Sequence, residues 1–195
     1  MADNCVHVVC IDYKFDVSQT LSTLEAYAKR IGADFNVIST RKYHNWPITY
    51  EKVQVYDYGK DYKWNILFDC DIWLSPVMYN VIDYVPHNSI GSYMEYDPSI
   101  TIKEDEYIKL DHTDRIPATN CLVVPNDLHD VWKPFDLSLE TALSRMKRPF
   151  VIDEYCIGRN LKRMGIKWSG VIAPEIDGYL FKHFDFTTKG RNNVT

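Results

Sequence analysis

The sequence predicts an α/β domain with a mixed central sheet flanked by helices. Three observations predict it. A short β-branched apolar run at residues 6–11 is followed by apolar residues at helical spacing and then by a second short strand pattern at 35–38. This β-α-β opening implies parallel strands joined by a right-handed crossover. Two further apolar strand patterns follow, at 64–68 and 121–124, separated by irregular sequence. The chain has 195 residues, 46% of them hydrophobic, enough for one sizeable core and too few for two. A single domain over 1–195 is therefore expected.

The first strand, Val6 to Ile11, is bounded by polar residues and reads as buried. Asp16 or Ser18 can cap the next helix, in which Leu21, Leu24, Tyr27, Ala28 and Ile31 recur on one face, and Gly32 can end it. Residues 40–50 form a loop containing Pro47, and 50–58 read as a helix stopped by Gly59. The run Trp64-Asn65-Ile66-Leu67-Phe68 enters Asp69-Cys70-Asp71 and continues through Ile72-Trp73-Leu74 to Pro76. Residues 77–118 are irregular, with a possible strand at 89–95. Helices are expected at 137–146 and 152–164, a turn or edge strand at 171–176, and an alternating segment at 179–184.

Composition excludes several classes. A net charge of −5 and a pI near 5.6 oppose phosphate-driven nucleic-acid binding. The one basic cluster, Arg145, Lys147 and Arg148, reads as a solvated helix end. Cys5, Cys10, Cys70, Cys121 and Cys156 are odd in number, form no CxxC pair and lie mostly in apolar runs, so buried free thiols in a reducing compartment are expected. No apolar stretch reaches membrane-spanning length and no signal-peptide pattern opens the sequence, which predicts a cytoplasmic protein without a transmembrane segment. The sequon Asn193-Val194-Thr195 is then a chance match. Fourteen Tyr and five Trp fit either an aromatic core or stacking surfaces for sugar rings.

Asp69 and Asp71 are the sharpest chemical signal. At i and i+2 on a strand, their side chains would point to one side. Two carboxylates held together repel unless a cation lies between them, and oxygen ligands suit Mn²⁺ or Mg²⁺. The carboxyl end of a strand in an open α/β sheet is also where ligands bind. Such a pair suits a metal that holds a nucleotide diphosphate and neutralises charge on a leaving group. The alternative is two loop aspartates satisfied by backbone N–H groups.

Residues 6–184 resemble the GT-A glycosyltransferases, Rossmann-like enzymes that include glycogenin and small viral or bacterial members. The resemblance is carried by Ile66-Leu67-Phe68-Asp69-Cys70-Asp71, by Asn120-Cys121-Leu122-Val123-Val124 (which lacks the family's Gly), by the acidic pair Asp153-Glu154 at a helix start, and by Lys182-His183-Phe184. It implies transfer of a sugar from a nucleotide-sugar donor, a UDP-sugar, to a glycan or other hydroxyl acceptor with Mn²⁺ or Mg²⁺. A viral member would act in the host cytoplasm. It further implies a nucleotide-binding half at 1–76 and an acceptor half at 77–195. Asp69, Asp71 and His183 would hold the metal, with Asp69 also near the ribose. Ile11, Asp12 and Tyr13 would face the base, with Asn120 on the donor side. Lys52, one residue off the family spacing, would face the donor or else be a solvated lysine. Asp153 and Glu154 would carry the chemistry, taking the acceptor proton or orienting the donor sugar. The Asp69 segment also resembles the first motif of haloacid-dehalogenase-type phosphatases, in which Asp69 would be the nucleophile. Trp73, the preceding β-α-β unit and the lack of a late Gly-Asp-x-x-x-Asp motif depart from that pattern.

Overall fold

The computed structural model describes residues 2–170 and 180–183; of His183 the backbone alone is described. The strands and helices follow the order β1 (Asn4–Val9), α1 (Ser18–Arg30), β2 (Asp34–Ile38), a 3-10 helix (Ile48–Gln54) running into α2 (Val55–Tyr58), β3 (Trp64–Asp69), β4 (Ile72–Leu74), β5 (Ser89–Ser92), β6 (Glu95–Tyr96), β7 (Ile116–Pro117), β8 (Cys121–Pro125), α3 (Leu139–Ser144), α4 (Ile152–Met164), β9 (Lys167–Gly170) and β10 (Phe181–His183). Further short 3-10 turns lie between them. Among the described residues no helix is long and apolar enough to cross a membrane.

The main sheet has six strands in the order β2-β1-β3-β8-β5-β9. β1 pairs in parallel with β2 and β3, as the β-α-β opening predicts. β8 runs antiparallel to both β3 and β5, and β9 is parallel to β5, so the sheet is mixed. Side-chain alternation sorts the two faces. From β3, Ile66 and Phe68 join the core beneath α1, while Leu67 joins the core packed by Val55, Ile157 and Leu161 on the other face. From β8, Cys121 and Val123 go to the first core and Leu122 and Val124 to the second. A third cluster, including Tyr50, Val53, Ile116, Ile152 and Tyr155, joins the 3-10 helix to α4.

Three expectations are revised. The segment expected as one helix at 50–58 is a 3-10 helix followed by a single α-turn. Its buried Glu51 accepts bonds from the Lys42 and Tyr43 N–H groups at 3.0 and 2.9 Å and from Gln54, which ties the preceding loop to it. The expected strand at 89–95 is two short strands, β5 and β6, in different sheets. The chain does not stay extended through Asp69-Cys70-Asp71: β3 ends at Asp69, Cys70 and Asp71 form a turn, and β4 starts at Ile72.

Other features match expectation. Gly32 has φ of +69°, the left-handed conformation that ends α1. The helix begins after Val17, with Asp16 accepting the Ser18 N–H at 2.9 Å. All five cysteines are free, four buried and Cys10 partly so. Arg145 differs: it pairs with Asp105 and Glu106 instead of standing in solvent. Residues 171–176 and the sequon at 193–195 lie outside the described residues.

Candidate functional site

The turn after β3 is fixed from three sides. The Asp69 N–H donates to the Asn120 carbonyl at 3.0 Å. The Cys70 carbonyl accepts from the Thr20 hydroxyl at 2.5 Å, and the Cys70 side chain is buried in the core. The Thr23 hydroxyl accepts the Leu74 N–H at 3.1 Å. With Cys70 anchored inward, the two flanking aspartates are presented at the carboxyl end of the sheet.

Each aspartate has a neighbour that fixes it. The Tyr13 hydroxyl donates to Asp71 Oδ2 at 2.8 Å. Burial and then the Asp71 charge push the Tyr13 phenol up, so it stays protonated and able to donate. Asp69 Oδ1 is 2.6 Å from Lys52 Nζ, and the same ammonium lies 3.0 Å from Asp153 Oδ2. Lys52 is 9% exposed, so the alternative of a solvated lysine is set aside. Burial opposes its charge, but Asp153 and Asp69 outweigh that cost and hold the ammonium protonated.

Asp153 and Glu154 sit in the first turn of α4, where helix N–H groups favour negative charge. Asp153 is 2% exposed. Its Oδ2 receives the Thr119 hydroxyl at 2.5 Å in addition to Lys52. Glu154 Oε1 receives the Thr119 N–H at 3.3 Å, and the Tyr96 hydroxyl lies close enough to this carboxylate to lower its pKa in part. Burial, followed by the Asp153 charge, raises Glu154 to about 7, a value suited to exchanging a proton near neutrality. Asp153 Oδ1 and Asn120 Oδ1 are both buried with no hydrogen-bond partner among the described residues. Acceptors in that state call for a donor beyond the described residues.

The structure thus brings Tyr13, Lys52, Asp69, Asp71, Asn120, Asp153 and Glu154 to one end of the sheet. Ile11 belongs elsewhere: its side chain is buried in the core, so only its backbone can line a ligand site. Asp12 is exposed and adopts φ of +51° where the chain leaves β1. The His183 side chain lies outside the described residues, but the β10–β4 register sets position 183 opposite Ile72, next to Asp71. Among the described residues no three His, Cys, Asp or Glu side chains converge as a metal-binding set. Asp69 and Asp71 supply two hard oxygen donors of the kind Mn²⁺ or Mg²⁺ takes, so that pair fits such an ion but does not complete its shell. Thr119 and Tyr96 are parts of the site that sequence reasoning misses. Thr119 has one clue, its place directly before the Asn120 strand; Tyr96 has none.

No protein-family model and no curated protein sequence matches the chain. Among solved structures, the fold is similar to a glycosyltransferase involved in the glycosylation of the major capsid of PBCV-1. The TM-score is 0.61 over 94% of each chain, at 11% identity. A Drosophila beta-1,4-galactosyltransferase 7 mutant in complex with manganese, UDP-Gal and xylobiose aligns with 98% of this chain and 76% of its own, with TM-score 0.48 and 10% identity. The six-stranded mixed sheet flanked by helices is the GT-A glycosyltransferase fold.

Proposed function

We propose that the chain is a glycosyltransferase that moves a sugar from a UDP-sugar donor, with the help of Mn²⁺ or Mg²⁺, onto a glycan or other hydroxyl acceptor. The observation that carries this reading is the junction at the carboxyl end of the sheet. There Lys52 links the aspartate turn after β3 to the acidic start of α4, within 3.0 Å of a carboxylate on each side. The fold shared with the capsid glycosyltransferase supports the reaction class. The phosphatase alternative finds no support in any comparison, and in the structure Asp69 is paired with a buried ammonium.

In this reading Asp69, Asp71 and His183 hold the metal, which when bound neutralises charge on the departing diphosphate. Asp12 and Tyr13, with the Ile11 backbone, line the nucleotide side, within the half formed by residues 1–76. Asn120 Oδ1 and Asp153 Oδ1 accept hydroxyls of the donor sugar, which is the kind of donor two buried acceptors need. Residues 77–195 carry the acceptor side. Glu154 takes the proton of the acceptor hydroxyl as that oxygen bonds to the anomeric carbon and the diphosphate departs. Asp153, tied to Lys52 and Thr119, orients and does not exchange the proton.

A thermal-shift titration with UDP, with and without Mn²⁺, on the native chain and on Asp71→Ala tests this. Metal-dependent stabilisation by UDP that is lost in the variant is expected. No response to UDP under either condition would overturn the reading.

A further inference from the structure

Thr119 is 1% exposed and stands in the short link between β7 and β8. It touches all three charged groups on the α4 side of the site. Its hydroxyl donates to Asp153 Oδ2 at 2.5 Å and accepts from Lys52 Nζ at 3.1 Å. Its carbonyl accepts from the same ammonium at 3.4 Å. Its N–H donates to Glu154 Oε1 at 3.3 Å. The following residue, Asn120, accepts the Asp69 N–H at 3.0 Å through its carbonyl.

These contacts leave the hydroxyl no freedom. An ammonium only donates and an ionised carboxylate only accepts, so the Thr119 proton must point to Asp153 and a lone pair to Lys52. Asp153 is thereby held by one oxygen, Oδ2. Its other oxygen, Oδ1, is kept in the buried position without a partner among the described residues. The two carboxylates of α4 are set by different parts of the same residue, Asp153 by the side chain and Glu154 by the backbone.

Resting on the glycosyl-transfer reading, we propose that Thr119 is a positioning residue for the transfer step: its hydroxyl fixes the orientation of Asp153 against Lys52, and with it the donor sugar facing Glu154. Thr119→Val removes the hydroxyl at nearly constant shape and retains the N–H to Glu154, so it isolates the Asp153 arm. Thr119→Ser restores the hydroxyl.

The experiment measures UDP release from a panel of UDP-hexoses and UDP-pentoses with Mn²⁺, together with calorimetric binding of UDP–Mn²⁺. Native chain, Thr119→Val and Thr119→Ser are compared. The expected result is a fall in kcat of about tenfold to a hundredfold in Thr119→Val, because a misplaced group costs turnover more than binding. KM for the donor and UDP–Mn²⁺ affinity should stay within about threefold, and Thr119→Ser should recover native kcat to within about threefold. Equal kcat in Thr119→Val and the native chain would overturn the proposal, as would loss of UDP–Mn²⁺ binding in parallel with kcat. If Thr119→Val does not fold, Thr119→Ala takes its place; failure of both to fold makes Thr119 a residue of the fold and overturns the proposal too. Failure of the native chain to bind UDP–Mn²⁺ is a separate outcome, and it removes the glycosyl-transfer reading on which the proposal rests.

Discussion

Lys52 stays charged inside the protein because a carboxylate lies within 3.0 Å on each side of it. Replacing it with Met would leave Asp69 and Asp153 facing each other across an uncompensated gap. The expected loss of stability is about 3 kcal/mol, read from urea unfolding, with metal-supported UDP binding weakened as well. Glu154 and His7 make opposite contributions to pH dependence. Glu154 ionises near 7 in the fold instead of at its ordinary 4.5. Between those values the folded chain binds more protons than the unfolded one, so its contribution to stability falls as pH rises. His7 is fully buried, and burial lowers it to about 4 from 6.5 despite a 2.9 Å bond to Asn65. Across that window the unfolded chain binds more protons, so the His7 contribution rises with pH and is complete above 6.5. The two trends oppose each other in the native chain. Glu154→Gln should unmask the rise, giving a higher urea midpoint at about pH 6.5 than at about pH 5. The same variant should cost about a hundredfold or more in kcat and abolish the rise in rate through about pH 7 that an ionised Glu154 would give.

At the scale of elements, α4 is held unusually close to β7. A Cβ added at Gly158 would come within 2.8 Å of Ile116 Cγ2. Gly158→Ala should therefore displace the helix despite its better helix propensity, destabilising by about 1–2 kcal/mol by thermal unfolding. Because α4 carries Asp153 and Glu154, and β7 leads into Thr119, the same change should depress turnover. This close approach is invisible in the sequence, where Gly158 looks like an ordinary small helix residue. The helix itself is legible: Ile152, Tyr155 and Cys156 recur at helical spacing on one face, Ile157 and Leu161 on another, and Gly165 follows. The turn between β3 and β4 is not. The apolar residues on both sides of Asp69-Cys70-Asp71 suit one long strand, and the turn there rests on tertiary contacts: the packing of Cys70 and the bonds to Thr20, Thr23 and Asn120.

For the molecule as a whole, the β-α-β opening makes the parallel pairing of β1 with β2 legible, but the addition of β3 beside β1 and the antiparallel entry of β8 depend on long-range pairing that no periodicity encodes. The candidate site is legible in part for the same reason. The acidic pairs and Asn120 stand in recognisable strings, whereas Lys52 reads as exposed until the 3-10 helix is seen to turn it inward, and Tyr96 is supplied by a strand too short to leave a pattern. One prediction belongs to this scale. UDP with Mn²⁺ at about a hundred times its Kd should stabilise the native chain by about 2.7 kcal/mol, a rise in Tm of roughly 5–10 °C. Reductant should leave Tm unchanged, since the five thiols are free.

The distribution of the site along the chain bears on how the protein is made. Lys52 and Thr119 are separated by 67 residues, and Thr119 and Asp153 by a further 34. During synthesis β1, α1 and β2 can associate early through near-neighbour contacts, while β5 must wait for β9 to emerge before its outer edge is covered. Until α4 leaves the ribosome, Lys52 has Asp69 as its counter-charge and lacks Asp153. A nascent chain arrested at that stage should be protease-sensitive around the 3-10 helix. The site therefore closes late in synthesis, since its last carboxylates arrive only with α4.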